Sequence, residues 1–277
     1  MSDQYTELNG MVVTGTLRDS LTLVSLLLGQ QTTLQPHEIM TDMGSYADYI
    51  FGLLWLLGYQ FSPRITDAGA VRFWRIDREA DYQTLNDLAR HSINLDLIIP
   101  YWDDLLRLSG SLALGVYHIE SLVRTLQRGF QPTKLARALM ELGRIIKTLY
   151  LLAYIDDERY RRRILTQLNR GEGRNGLARL LFFGQRGELR QRYREGQEDQ
   201  LGALGLVVNI VVLWNTLYLD KAITQLRAEG YPVQDGDVAR ISPLGSAHLN
   251  VLGRYSFAWD ETLPQGMLRS LRTAERK

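Results

Sequence analysis

With 277 residues, 45% of them hydrophobic and 23% charged, the sequence can bury a sizeable core, and its formal net charge of +1 commits it to no polyanion by bulk charge alone. It has no cysteine, which excludes disulfides, thiol catalysis and thiolate zinc sites. The four histidines, His37, His91, His118 and His248, fall at no close spacing typical of a histidine metal motif, and hard cations held through oxygen remain open. The first seven residues carry neither a basic opening nor an apolar run and do not read as a secretory signal. A cytoplasmic protein with no membrane span is therefore expected.

Met11-Val-Val-Thr-Gly reads as the end of a strand, and Thr16 is placed to cap a helix running through Leu28. Pro36 punctuates the chain before the apolar pair Ile39-Met40, which leaves Asp42 at the carboxyl end of a short strand. After Gly44, residues 46–57 are apolar enough for a buried helix, and a further short strand is expected from Tyr59 to Ile65. Strand, helix, strand, helix, strand is the order of an α/β layer, in which the carboxyl ends of strands house ligand and catalytic groups.

Beyond Arg78 the apolar spacing becomes helical, in Tyr82–Ala89, Tyr101–Leu108, Val116–Gln127 and Pro132–Ile155, the last running through Gly143. Two more helices are expected over Gly176–Phe183 and Gln200–Leu226, with turns and a short helix from Tyr231 to Leu252. Within the second of these, the stretch Leu204–Leu213 is about half the length of a bilayer span and reads as a buried helix. The tryptophans Trp55, Trp74, Trp102, Trp214 and Trp259 sit in apolar neighbourhoods that favour packing over base stacking.

Charge is distributed unevenly. Residues 159–194 hold eleven arginines against two acids, Glu172 and Glu188, a density that self-repulsion disfavours unless anions relieve it. Phosphates are the natural anions, and Arg161, Arg162, Arg163, Arg170, Arg174, Arg179, Arg186 and Arg190 are the candidate DNA contacts. An acid within that stretch, Glu172, together with the distant Asp42, suits carboxylate ligation of a divalent metal beside a phosphodiester. By contrast, Asp156-Asp157-Glu158 reads as a solvated face or a partner for Arg161 to Arg163, and His37 as a structural histidine. From the residues alone, a noncatalytic DNA-binding or self-associating chain stays open, as does a purely structural helical protein.

Gly15-Thr-Leu-Arg-Asp-Ser, Glu38-Ile-Met-Thr-Asp, Phe51-Gly-Leu-Leu-Trp-Leu-Leu-Gly-Tyr-Gln-Phe-Ser-Pro-Arg, Leu165-Thr-Gln-Leu-Asn-Arg-Gly-Glu and Val212-Leu-Trp-Asn-Thr closely resemble the carboxyl-terminal catalytic part of Tn3-family transposases. The resemblance covers nearly the whole chain. It implies an α/β fold with a partial RNase H-like sheet of the retroviral-integrase type, interrupted by a large helical insertion. The corresponding division is a partial core over residues 1–76, the insertion over 77–163, and a returning catalytic helix with a helical end over 164–277. It also implies cleavage and strand transfer at transposon ends by an Asp, Asp, Glu triad that binds two Mg2+ ions, with transposon-end and target DNA as partners. The second aspartate of that triad falls on Asp42 and the glutamate on Glu172, 130 positions apart.

Two departures from the family pattern stand out. The first aspartate of the triad, like the regions that recognise transposon ends, lies upstream of anything that corresponds to Met1, so a truncated chain with weak metal binding and little strand transfer is expected. The histidine that usually follows shortly after the glutamate is also missing, since this sequence reads Arg174-Asn175. Self-association through the middle helices or an exposed sheet edge is a further expectation, as is association with the bacterial nucleoid when bound to DNA.

Overall fold

In the computed structural model, the described residues are all but 14–18, 43–46, 68, 70, 119–120, 123–126, 129–130, 184–186, 255–267, 269–270 and 272–277. The chain divides into two compact units. One comprises residue 2 and residues 11–170, the other residue 1, residues 3–10 and residues 171–277.

The larger unit opens with α1 (Asp19–Leu28), followed by β1 (Glu38–Ile39), α2 (Asp48–Leu56) and β2 (Gln60–Phe61). The strands β1 and β2 are parallel, in register Glu38 to Gln60 and Ile39 to Phe61. Their hydrogen bonding extends beyond these bounds, because Gln60, Ser62 and Arg64 donate to the carbonyls of His37, Ile39 and Thr41, each at 2.8 Å. Asp42 thus follows directly on the carboxyl end of a parallel strand. A second parallel pair, β3 (Trp74–Arg75) with β4 (His91–Ser92), was not anticipated from the sequence pattern. It is followed by α3 (Leu95–Ile98), α4 (Trp102–Ala113), the antiparallel pair β5 (Gln127–Arg128) and β6 (Gln131–Pro132), and α5 (Lys134–Asp156). The unit is α/β and mostly helical, and among the described residues each sheet has two strands.

Local chemistry accounts for several of these elements. The Thr133 side chain accepts from the Ala136 N–H at 3.2 Å and caps α5. In α2, Ile50, Phe51, Leu53 and Leu54 are fully buried, as the apolar run predicted. Tyr82–Ala89 departs from its expected helix and forms only a 3₁₀ segment, Gln83–Asp87. Asp81 accepts from the Gln83 N–H, and Asn86 accepts from the Tyr82 N–H and from Arg75 at 2.8 Å, so short polar side chains hold the backbone in turns. The expected opening strand is irregular at residues 11–13, and its remainder, with Thr16, lies outside the described residues. Half of the helix expected over Val116–Gln127 lies outside them too; of the rest, Ser121 and Leu122 are helical, residues 116–118 are not, and Gln127 belongs to β5.

The core of this unit is organised by the contact between α2 and α5. A Cβ on Gly143 would stand 1.7 Å from the Asp48 carbonyl oxygen, and one on Gly52 would stand 2.8 Å from the Leu139 carbonyl. Only paired glycines let the two backbones come this close. Leu139, Leu142, Tyr150 and Leu151 of α5 then bury themselves in the same core as α2. Charged groups flank the crossing: Asp48 pairs with Lys147 at 2.9 Å and Arg144 at 3.2 Å, and Arg144 also pairs with Glu141 and lies 4.1 Å from the Trp74 ring centre.

The helix α6 (Glu158–Leu181) belongs to the larger unit up to Arg170 and to the smaller from Gly171. It is one helix where the sequence suggested a shorter one over Gly176–Phe183. The smaller unit continues with α7 (Arg194–Ala228) and the single-turn α8 (Asp235–Val238). Its core packs Leu177, Val208 and Val212 with Tyr5, Ala178, Leu181, Leu204, Val211, Leu244 and Leu249. By length and composition α7 could cross a membrane, with an 18-residue window of mean hydropathy 1.7. The expected burial of its apolar stretch holds for one face only, because Leu206, Ile210 and Leu213 are exposed.

The α2–α5 contact predicts a sharp asymmetry between two glycine substitutions. Gly143→Ala is expected to lower unfolding free energy by about 3 kcal/mol or more through backbone overlap. Gly110→Ala, in α4 with nothing within 4 Å of the added methyl, is expected to raise it by up to about 1 kcal/mol. Urea denaturation of the two variants checks both signs.

Candidate functional site

Asp42 is exposed at the end of β1, with its backbone fixed by the ladder that Thr41 makes to Arg64. On the preceding strand residues a polar cluster anchors β1 and β2 to the first turns of α6. The Ser62 hydroxyl donates to Glu38 Oε1 at 2.6 Å and lies 2.6 Å from the Tyr160 hydroxyl, which also accepts from Gln60 Nε2 at 2.9 Å. Arg163 completes the cluster by pairing with Glu38 Oε2 at 2.8 Å and standing 5.2 Å from the Tyr160 ring centre. Burial holds the Tyr160 hydroxyl above its ordinary pKa, and the Glu38 charge acts in the same direction.

Tyrosines also complete the outer edge of β2. Backbone groups of residues 60, 62 and 64 point to β1, so those of 61, 63 and 65 point away from it. Tyr150 donates its hydroxyl to the Pro63 carbonyl, and Tyr154 bonds the Ile65 carbonyl at 3.1 Å and the Ile65 N–H at 3.3 Å. Side-chain hydroxyls of α5 therefore occupy positions that a third strand would otherwise fill. Burial raises the Tyr150 pKa, with Tyr160, Tyr154 and Glu38 adding to the shift, as expected for a phenol kept neutral. Neither Glu38 nor the tyrosines were singled out from the sequence, although the alternation of 38, 40 and 42 puts Glu38 on the same strand face as Asp42.

Glu172 lies on α6 with its side chain exposed. Helical periodicity gives it the same face as Asn169, Gly176 and Arg179, all exposed, with Arg179 two turns further along the helix. Asp42 and Glu172 both offer carboxylate oxygens, the donors that suit a hard divalent cation. Among the described residues, no cluster of three or more His, Asp or Glu side chains stands ready to hold a metal.

The candidate arginines have different surroundings. Arg162 pairs with Glu158 at 2.7 Å and Arg190 with Glu188 at 2.7 Å, both on the surface, where such pairs contribute little and exchange readily. Arg161 donates to the Tyr154 and Ile155 carbonyls at the end of α5, at 2.7 and 2.6 Å. Arg170 is half-buried, 3.5 Å from Gln167 Oε1, and Arg179 is exposed. Arg186 lies outside the described residues.

Arg174 is unlike the others. It is buried at 6% exposure, on the stripe of α6 that runs through Leu168, Gly171, Leu177 and Leu181. Its guanidinium donates to the Tyr5 carbonyl at 3.0 Å, Glu7 Oε2 at 3.1 Å and the Gly205 carbonyl at 3.4 Å. A Cβ on Gly205 would stand 2.6 Å from Glu7 Oε2, so that glycine lets the carboxylate lie against α7, while the Glu7 N–H donates to Asn209 at 3.1 Å. These internal acceptors account for the Arg174 charge without a phosphate.

Over residues 1–255 the sequence matches the Tn3 transposase DDE domain. The chain belongs to that family. It is 56% identical over 271 residues to the transposase for transposon gamma-delta of Escherichia coli strain K12, covering 98% of this chain and 27% of that protein. The transposase for transposon Tn4556 of Streptomyces fradiae is 47% identical over 272 residues, covering 98% of this chain and 30% of that one. The transposase for transposon Tn1546 of Enterococcus faecium is 37% identical over 271 residues, covering 98% of this chain and 27% of its own length. This Tn3 transposase DDE domain thus spans less than a third of the length of these relatives.

Removing Arg174 is expected to unfold part of the DDE domain rather than to weaken a ligand contact. Arg174→Ala should lower stability by about 3 kcal/mol, since it strands the Glu7 carboxylate, and Arg174→Lys should recover little because one ammonium cannot span three acceptors. Thermal melts followed by circular dichroism check this against Arg179→Ala, which is expected to melt as the unsubstituted protein does.

Proposed function

We propose that this DDE domain supplies carboxylates and phosphate-binding arginines to DNA cleavage and strand transfer at transposon ends, as part of an RNase H-like catalytic fold. Family membership across residues 1–255 carries the reading. It is supported by the β1–α2–β2 unit, whose parallel pairing puts Asp42 at a strand's carboxyl end, where α/β folds bind ligands. The proposed partners are transposon-end and target DNA, the proposed setting is the bacterial cytoplasm and nucleoid, and the proposed metal is Mg2+.

In this reading Asp42 and Glu172 are two of the triad's carboxylates and hold the metal through oxygen. When bound, the metal supplies activation of the attacking oxygen and stabilisation of the leaving one. The protein's own part is to hold the phosphodiester for in-line attack. Arg179 shares the Glu172 face of α6 and is suited to a phosphate near the scissile bond. Arg162 and Arg190, each paired with a surface acid, can exchange that acid for a backbone phosphate. The acceptors already held by Arg161 and Arg174 give these two a structural role instead.

The test is duplex binding as a function of salt. Fluorescence anisotropy on the 277-residue chain should give an affinity that falls log-linearly with salt concentration, and Arg179→Gln with Arg190→Gln should weaken binding and reduce the slope by about 2. An affinity indifferent to salt, or an unchanged slope in the double variant, would contradict the phosphate-contact reading.

A further inference from the structure

In the observed register Glu38 of β1 stands opposite Gln60 of β2, and its Oε1 accepts from Ser62 at 2.6 Å and lies 3.5 Å from Gln60 Nε2. Residues 60 and 62 share one face of β2, so the carboxylate engages that face at two successive positions. Slipping β1 by one residue would turn Glu38 and Asp42 together to the face that buries Ile39 and Phe61. A two-stranded ladder this short specifies its register weakly by itself. The cluster adds what the ladder lacks. Tyr160 and Arg163, three residues apart on one face of α6, close over it: the Tyr160 hydroxyl lies 2.6 Å from that of the buried Ser62, and Arg163 pairs with Glu38 Oε2 at 2.8 Å. The Arg163 side chain is 58% exposed and that of Glu38 only 15%, so a surface guanidinium reaches inward to hold a largely covered acid.

We propose that Glu38 and Arg163 are positioning residues for Asp42. Their pair, with Ser62 and Tyr160, sets the register and facing of β1, and so the direction in which Asp42 presents its carboxylate, without either residue touching the ion. The inference rests on the reading of Asp42 as a metal ligand. Two observations carry it. Alternation puts Glu38 on the same strand face as Asp42, so whatever turns one turns the other. Their separation of four residues, about 13 Å along the strand, exceeds the roughly 10 Å Debye length of ordinary salt, so Glu38 acts on the ion through the backbone and little through its charge. An apolar residue at position 38 would fill the space equally well, but only a satisfied polar network ties β1, β2 and α6 to one arrangement.

Mn2+ binding to the 277-residue chain without DNA, read as loss of the free-ion electron paramagnetic resonance signal at roughly 0.1 M salt, tests it. Asp42→Asn first identifies the component of binding that depends on Asp42. Arg163→Gln and Glu38→Gln are each expected to weaken that component by about 10-fold, the lower end of what removing an outer partner of a metal ligand costs. Arg163→Lys should restore most of it, since one ammonium can replace the contact to Oε2. The sign of the Arg163→Gln effect separates positioning from charge. Removing a positive charge would strengthen cation binding, whereas losing the strand's facing weakens it. A role in stability alone would lower the melting temperature and leave the affinity of the folded protein unchanged. Mn2+ binding in Arg163→Gln that is unchanged or stronger therefore overturns the inference while leaving Asp42 a ligand. An Asp42→Asn variant that binds Mn2+ as the unsubstituted chain does overturns the metal reading and the inference with it. Circular dichroism at the assay temperature shows which variants are folded; should Glu38→Gln not be, the two substitutions of the exposed Arg163 decide.

Discussion

The close crossing of α2 and α5 is the constraint on which the larger unit depends. Two backbones can approach within contact of each other's carbonyls only where Cβ atoms are missing, and Gly52 and Gly143 meet that requirement together. Once α5 is pressed against α2, its later turns bring Tyr150 and Tyr154 to the outer edge of β2, where their hydroxyls satisfy the backbone at Pro63 and Ile65. A two-stranded parallel pair has little stability of its own. Here it is held on one edge by tyrosines, on one face by the leucines of α2, and at its far side by the Glu38, Ser62 and Tyr160 cluster. The strand end that carries Asp42 is consequently one of the better supported points of the unit, as an acid at a candidate metal site needs to be.

The smaller unit is built around a different device, a buried charge. Arg174 occupies a position in α6 that an apolar residue would fill in an ordinary amphipathic helix, and it uses its forked donors to bind the segment around Tyr5 and Glu7 as well as the backbone of α7. A buried pair of this kind adds little net stability over an apolar equivalent, but it fixes which segments meet. The glycines follow from it: Gly205 clears space for the Glu7 carboxylate, and Gly173 lies under Leu244.

Much of this was legible from residue patterns, and the failures are instructive. The apolar run of α2, the long periodicity of α5 and the position of Asp42 after a short strand followed from spacing alone. Gly143 was readable only as a tolerated interruption of a helix, because a close contact depends on what the other helix brings, here Gly52. The β3–β4 pair went unread because two-residue strands leave no alternation to detect. Arg174 was grouped with its arginine neighbours by composition, although the helical stripe from Leu168 to Leu181 contained the signal for its burial. The long α7 hid its second face for a related reason, since apolar residues on both sides of a helix look the same in sequence whether or not both are covered.

The central functional claim is that Asp42 and Glu172 ligate the same divalent metal. Iron-mediated backbone cleavage tests it directly: Fe2+ replaces Mg2+ on the 277-residue chain, ascorbate and peroxide generate hydroxyl radicals at the bound ion, and mass spectrometry locates the cuts. The account predicts cuts beside both Asp42 and Glu172, with both sets lost when either residue is changed by Asp42→Asn or Glu172→Gln, and suppressed by excess Mg2+. Cuts beside only one of the two, or cuts at both that respond independently to the substitutions, would contradict a shared metal and with it the proposed catalytic role.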